Sequence, residues 1–168
     1  MGHRATYFLS LENSVDLFRR GVRKAIETVK ELDKAMTETA VVTDFSIGDM
    51  WDKLPEYTKM ANELGVATQG VYEASTLYYQ QGLSDKDVKA RTDVTIKAAN
   101  VTGQSAAEVS EQLTAVWNGY KVVAEEAELS VDKLAAVAAT TAADLEELST
   151  GMSKVASAAN AMGVDIDQ

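Results

Sequence analysis

Apolar residues in the first quarter of the chain fall at Val15, Phe18, Val22, Ala25, Val29, Leu32 and Met36, in alternating steps of three and four. This is a heptad seam, one apolar stripe along a helix of 3.6 residues per turn. Arg19, Arg20, Arg23, Lys24, Glu27, Lys30, Glu31 and Lys34 fill the other faces. Asn13 with Asp16 supplies a helix-start signal, which predicts a helix from there to about Val42, roughly 40 Å long. The stretch "TVKELDKAMTETAVVTD", Thr28 to Asp44, then changes character. The next two seam positions are Thr39 and Thr43, which replace apolar knobs by hydroxyls, so the seam is expected to end there.

Beyond the junction one unit recurs: a polar cap, an acidic first turn, an apolar stripe and a closing glycine. Ser46 with Asp49 opens a segment striped by Met50, Trp51, Leu54, Tyr57, Met60, Ala61 and Leu64 and closed by Gly65, with Pro55 either kinking one helix or starting a second. Thr68 opens a helix carrying Val71, Ala74, Leu77 and Tyr78 to Gly82. Ser84 with Asp87 begins one through Val88, Ile96 and Ala99 to Gly103, and Ser105 with Glu108 begins another through Val109, Leu113, Val116 and Trp117 to Gly119. A helix from about Lys121 to Thr140 follows, with Ser130 internal or capping a shorter piece. Thr141 with Asp144 opens a last one reaching Met162. "SAAEVSEQL" at Ser105 and "TAADLEELS" at Thr141 match in pattern and hint at duplicated helical hairpins. The fold predicted is all-α: a long N-terminal amphipathic helix over 1–43, then a bundle of about six shorter helices over 44–168. The closing "GVDIDQ" carries a start signal with no helix behind it, which suggests a cut from a longer polypeptide.

Composition removes most chemistries. A chain of 168 residues with no cysteine has no thiolate nucleophile and no thiolate ligand for zinc or iron–sulfur. Its one histidine, His3, is read as a terminal residue rather than a ligand, which takes away a required part of a Ser-His-Asp triad and of histidine metal motifs. No glycine-rich stretch precedes a Lys-Ser/Thr pair, so the sequence points to no cofactor. Net charge is −10, and residues 1 to 36 hold seven Lys/Arg against five Asp/Glu, or +2, leaving −12 for the remainder. Such an acidic body argues against specific nucleic-acid binding. No run of about 18 apolar residues exists to span a membrane. "LAAVAATTAA", Leu134 to Ala143, comes nearest and is read as a helix packed closely through small residues.

Candidate sites are few. Glu125, Glu126 and Glu128 point in different directions on a helix and read as a solvated face. Asp165 and Asp167 could begin a calcium loop but lack its glycine and distal glutamate. "LYYQQGLS" offers a candidate partner surface in Tyr78, Tyr79, Gln80 and Gln81, with one tyrosine expected to face outward. Met50, Met60, Met152 and Met162 read as adaptable core. The seam itself, Val15 to Met36, is the candidate self-association surface.

"VKELDKAMTETAVVTD", "LPEYTKMANELGVAT", "YEASTLYYQQGLS" and the alanine-rich "LAAVAATTAADLEELSTGMSKVASAANAMGV" resemble the characteristic helical region of phage tail tape-measure proteins over roughly residues 15–168. The resemblance implies a structural virion protein and not an enzyme. Its copies line the lumen of the tail, set tail length during assembly in the bacterial host cytoplasm, and leave ahead of the DNA. It implies partners too: other copies of the chain in a parallel oligomer, three by family expectation, together with tail-tube and tail-assembly chaperone proteins. The competing readings are a non-phage helical interaction module and a muramidase-like enzyme module.

Overall fold

A computed structural model of the chain describes residues 2–141, 143–164 and 166, with side chains described from Ser14 onward. His3 and the Asp165 and Asp167 pair thus lie, as side chains, outside the described residues. Seven α-helices and one turn of 3-10 helix make up the described structure, without a strand among the described residues. They are α1 (Gly2–Val41), α2 (Ile47–Leu64), α3 (Thr68–Tyr79), α4 (Asp85–Thr102), α5 (Ala106–Tyr120), the 3-10 turn (Ala124–Glu126), α6 (Ala127–Thr140) and α7 (Leu145–Ala161). The all-α expectation holds.

α1 is longer than the sequence suggests. It starts at Gly2, and Asn13 lies inside it, because residues 2–12 contain no proline and only Gly2 as a weak helix former, so nothing interrupts the backbone upstream of the proposed cap. Its 40 residues correspond to about 60 Å.

The start signals that the structure uses are chemical. The Ser46 hydroxyl accepts from the Asp49 N–H at 3.2 Å while the Asp49 carboxylate accepts from the Ser46 N–H at 2.6 Å, a reciprocal capping box. Ser105 with Glu108 repeats it at α5, and Ser84 accepts from the Asp87 N–H at α4. α7 is capped by Asp144 with Glu147, three residues later than Thr141 with Asp144. Pro55 sits within a single α2, removing only the bond its own N–H would donate. Gly65 and Gly103 close α2 and α4 with φ of +71° and +74°, a region costly to residues with a Cβ.

Two expected boundaries move. α5 runs through Gly119, and the left-handed residue that ends it is Lys121; the helix expected from Lys121 begins only at Ala127. Gly119 serves packing instead: a Cβ built there would fall inside 3.0 Å of the Ala156 methyl, 3.3 Å from the Ala156 Cα. That close approach lets α5 and α7 lie against each other, so the two matching segments at Ser105 and Thr141 begin neighbouring helices.

Two linked apolar clusters form the core. One joins Ala35 and Met36 of α1 to Met50, Tyr57, Met60 and Ala61 of α2, Val71, Tyr72 and Ala74 of α3 and Ile96 of α4. The other gathers Tyr78, Tyr79, Val88, Val94, Val109, Leu113, Trp117, Val122, Ala127 and Val131. Burying side chains such as Trp117, Tyr72 and Met36 contributes about 1.5–3 kcal/mol each. Thr39, expected to weaken the seam, is fully buried: its hydroxyl donates to the Ala35 carbonyl at 2.8 Å and meets the Thr76 hydroxyl at 2.7 Å, which satisfies both at the contact between α1 and α3. Trp51 and Met162, placed in the core by pattern, are instead exposed at 50% and 74%. Among the described residues of "LAAVAATTAA" only Leu134 is buried, and Ala135, Ala136, Val137 and Ala139 face solvent.

Candidate assembly surface

The α1 heptad register divides between two environments. Leu32 is half-buried, and Ala35, Met36 and Thr39 are buried against α3 and α2. Every residue from Ser14 to Glu31 is exposed, including Val15, Phe18, Val22, Ala25 and Val29. Eighteen exposed helical residues extend about 27 Å along the axis. Phe18 is 73% and Val29 61% exposed, and Ile26, which the seam omits, is 50% exposed beside it. Val22, Ala25, Ile26 and Val29, with Lys30, line one shallow apolar recess. One stripe therefore packs within the chain at its C-terminal end and lies open at the other.

Charges flank the open stripe without pairing across it. Arg19 and Asp16 approach to 3.9 Å, and Lys34 and Glu38 to 3.6 Å, both along the helix surface. Such exposed pairs contribute little. In heptad terms Gly21 and Thr28 lie on one side of the seam and Arg19 and Ile26 on the other. Parallel helices pairing along this seam would set Gly21 against Ile26, with no like charges opposed.

The expected partner surface at Tyr78 to Gln81 is rearranged. Neither tyrosine faces outward: Tyr78 is fully buried and Tyr79 nearly so. Tyr78 shares a hydrogen bond with Thr95 and lies 6.1 Å from the Trp117 ring. Tyr79 donates to the Asp85 carboxylate and sits 3.3 Å from the Tyr57 hydroxyl. Burial pushes both phenols above their ordinary range, and for Tyr79 the hydrogen bonds to Asp85 and Tyr57 push the same way. Burial raises the Asp85 carboxyl too, but bonds from Lys53 and Tyr79 outweigh it and hold the group below its usual value. Gln80 and Gln81 remain exposed, with Gln81 donating to the Leu77 carbonyl and the Thr114 hydroxyl.

The acidic run is tied down by lysines of α4. Glu125 accepts from Lys86 at 2.7 Å and Glu128 from Lys97 at 2.8 Å, while Lys89 bonds Glu56 and Lys53 bonds Asp85. Among the described residues no group of His, Cys, Asp and Glu converges as a metal site would, and no helix is long and apolar enough to cross a membrane. Three features escaped the pattern reading: Gly119 as a contact, Lys121 as a left-handed residue, and Arg91. The Arg91 side chain is 6% exposed, stacked 4.9 Å from the Trp117 ring centre, with one amine donating to the Val122 carbonyl at 3.1 Å. Only its placement on an otherwise apolar helix face could have flagged it.

Residues 56–168 match the family of phage-related minor tail proteins. The chain belongs to that family. No curated protein and no solved structure matches it. The matched span begins inside α2 and takes in the rest of the body, leaving α1 outside. This minor tail protein is thus a structural, virion-associated component of a phage tail, with other tail components as partners.

Proposed function

We propose that this minor tail protein is part of a tape measure: a helical ruler in the tail lumen that fixes tail length as the tail assembles in the host cytoplasm, and that leaves ahead of the DNA. The observation that carries the reading is the open half of the α1 stripe, from Val15 to Val29, on a helix whose far end is anchored in the body. A helix converts residue number into distance at a fixed 1.5 Å per residue. A free heptad stripe recruits further copies in register, in a parallel arrangement that keeps each body at the same end. The chain then works in two parts, the long helix through residue 43 and the body of 44–168, with residues 32–43 packed onto that body. Tail-tube and tail-assembly chaperone proteins are the partners this role requires, and the exposed glutamines Gln80 and Gln81 remain as a candidate contact for them. The match to minor tail proteins supports membership in the tail.

The test is made in the phage that encodes the chain. Inserting 56 residues, as eight repeats of the seven-residue pattern, between Arg20 and Gly21 is expected to lengthen tails by about 84 Å in electron micrographs. Tails of unchanged length in viable particles carrying the insertion would reject the ruler.

A further inference from the structure

The bend between α5 and α6 does not use the glycine that the sequence offers for it: the helix runs through Gly119 and turns at Lys121. Lys121 takes φ of +57°, and it is the one non-glycine residue with positive φ among the described residues; Gly65, Gly82, Gly103 and Gly163 hold the others. The Lys121 and Val122 N–H groups both bond to the Trp117 carbonyl, closing a helix end that elsewhere in this chain uses glycine. Residues 118–127 contain no proline, and their single glycine, Gly119, is helical. Val109, Leu113, Val116, Tyr120, Val123, Ala127, Ser130, Leu134 and Val137 keep alternating steps of four and three straight through the bend. Val123 and Val137, two of these positions, are exposed at 51% and 45%.

Contacts from α4, together with one bond from α5 to α6, hold the bend. Lys86 and Lys97 of α4 pair with Glu125 and Glu128 just beyond it. The Trp117 indole N–H donates to the Ser130 hydroxyl at 2.8 Å, and Arg91 donates to the Val122 carbonyl. Arg91 does so at a cost, since its Nε and its other amine are buried without a partner. The apolar periodicity runs on as it would in one continuous helix, while the contacts with α4 favour two.

We propose that residues 106–140 form a two-state element, bent at Lys121 in the compact body and able to straighten into a single helix about 52 Å long. Straightening removes the left-handed Lys121, releases the Arg91 guanidinium from its buried seat and aligns Val123 and Val137 with Val109, Leu113 and Val116. The inference does not depend on the chain measuring a tail.

Because the chain has no cysteine, spin labels can be placed cleanly at Ala107→Cys and Thr140→Cys, both exposed. In the bent form the end of α6 lies near the loop that leads into α5, since Ala138, Ala139 and Gln104 line one recess. In a straight helix the two positions lie about 50 Å apart. Pulsed electron spin resonance is expected to give a dominant short distance with a minor population near 50 Å. Replacing both Glu125 and Glu128 with alanine should enlarge the long population severalfold. Adding Lys121→Gly should reduce it about tenfold or more, because glycine favours the left-handed turn and disfavours helix. Circular dichroism confirms that each variant keeps its helix. A single short distance in all three proteins, or a long population that Lys121→Gly leaves unchanged, would overturn the hinge.

Discussion

Replacing Gly119 with alanine sets a new methyl against α7. It would fall inside 3.0 Å of the Ala156 Cβ and 3.3 and 3.4 Å from the Ala156 Cα and carbonyl carbon. Backbone atoms cannot rotate away, so relief requires α7 to move off α5. Forcing extra carbon into a packed contact costs about 1–3 kcal/mol, and here the upper end applies. Alanine in place of glycine returns about 1 kcal/mol of helix propensity. The net is a loss of about 2 kcal/mol, or about 4–8 °C in melting midpoint for a domain of this size. Urea unfolding followed by circular dichroism measures it directly. Ala156→Gly alone should also destabilise, through propensity, but in the double variant it opens the space that the new methyl at position 119 needs. The two changes are then expected to couple favourably by at least about 1.5 kcal/mol. A Gly119→Ala protein that melts at or above the parent, or costs that simply add, would show that the glycine is not there for packing.

Three further outcomes follow from the geometry. Val22→Asp puts a charge into the open stripe of α1, so sedimentation velocity should show concentration-dependent association of the parent and a monomeric variant with an unchanged melting midpoint; identical behaviour of the two would argue against the stripe as a self-association surface. Asp85 has its folded pKa held below the unfolded value near 3.9. Its contribution is therefore present above about pH 4 and lost as pH falls further, so the melting midpoint should drop in acid, and Asp85→Asn should flatten that drop. Tyr72, Tyr78 and Tyr79 have folded pKa values raised above 10, so their contribution is present below pH 10 and lost as pH rises past it. Stability should fall in alkali, and a midpoint flat from pH 9 to 11 would contradict the buried phenols.

Much of the body is legible because its signals are local. A serine followed three residues later by an acid marks the starts of α2, α4 and α5, since the side chain that stops the preceding backbone also satisfies the new helix's free N–H groups. Gly65 and Gly103 mark ends for an equally local reason. Failures occur where tertiary contacts decide. Gly119 looks like a stop in sequence, yet its lack of a Cβ answers to Ala156 on a helix more than thirty residues away. Lys121 occupies a conformation its own type disfavours, held there by contacts from α4. Thr39 looks like the end of an interface because a hydroxyl is a poor apolar knob, but Thr76 sits opposite and turns it into a matched pair. Of the candidate surface, the periodicity of α1 was readable throughout, and the division of that one register between a buried half and an exposed half was not. Tyr78 and Tyr79 mislead for a related reason: adjacent helical residues point apart, but here α3 is enclosed on both sides, by Trp117 and by Tyr57.

The clasp between Thr39 and Thr76 has a consequence for the geometry of growth. It fixes the angular setting of α1 on the body, so the direction in which the open stripe points is inherited from that joint. Adding or deleting one residue between the joint and the stripe would swing the stripe about 100° around the helix axis. Only changes in multiples of seven nearly restore its bearing, with a residual drift of about 20° each that a gentle supercoil absorbs. In the proposed assembly, length in this segment is therefore quantised, and a lineage that lengthens or shortens it while keeping neighbouring copies aligned must do so in increments of about 10.5 Å.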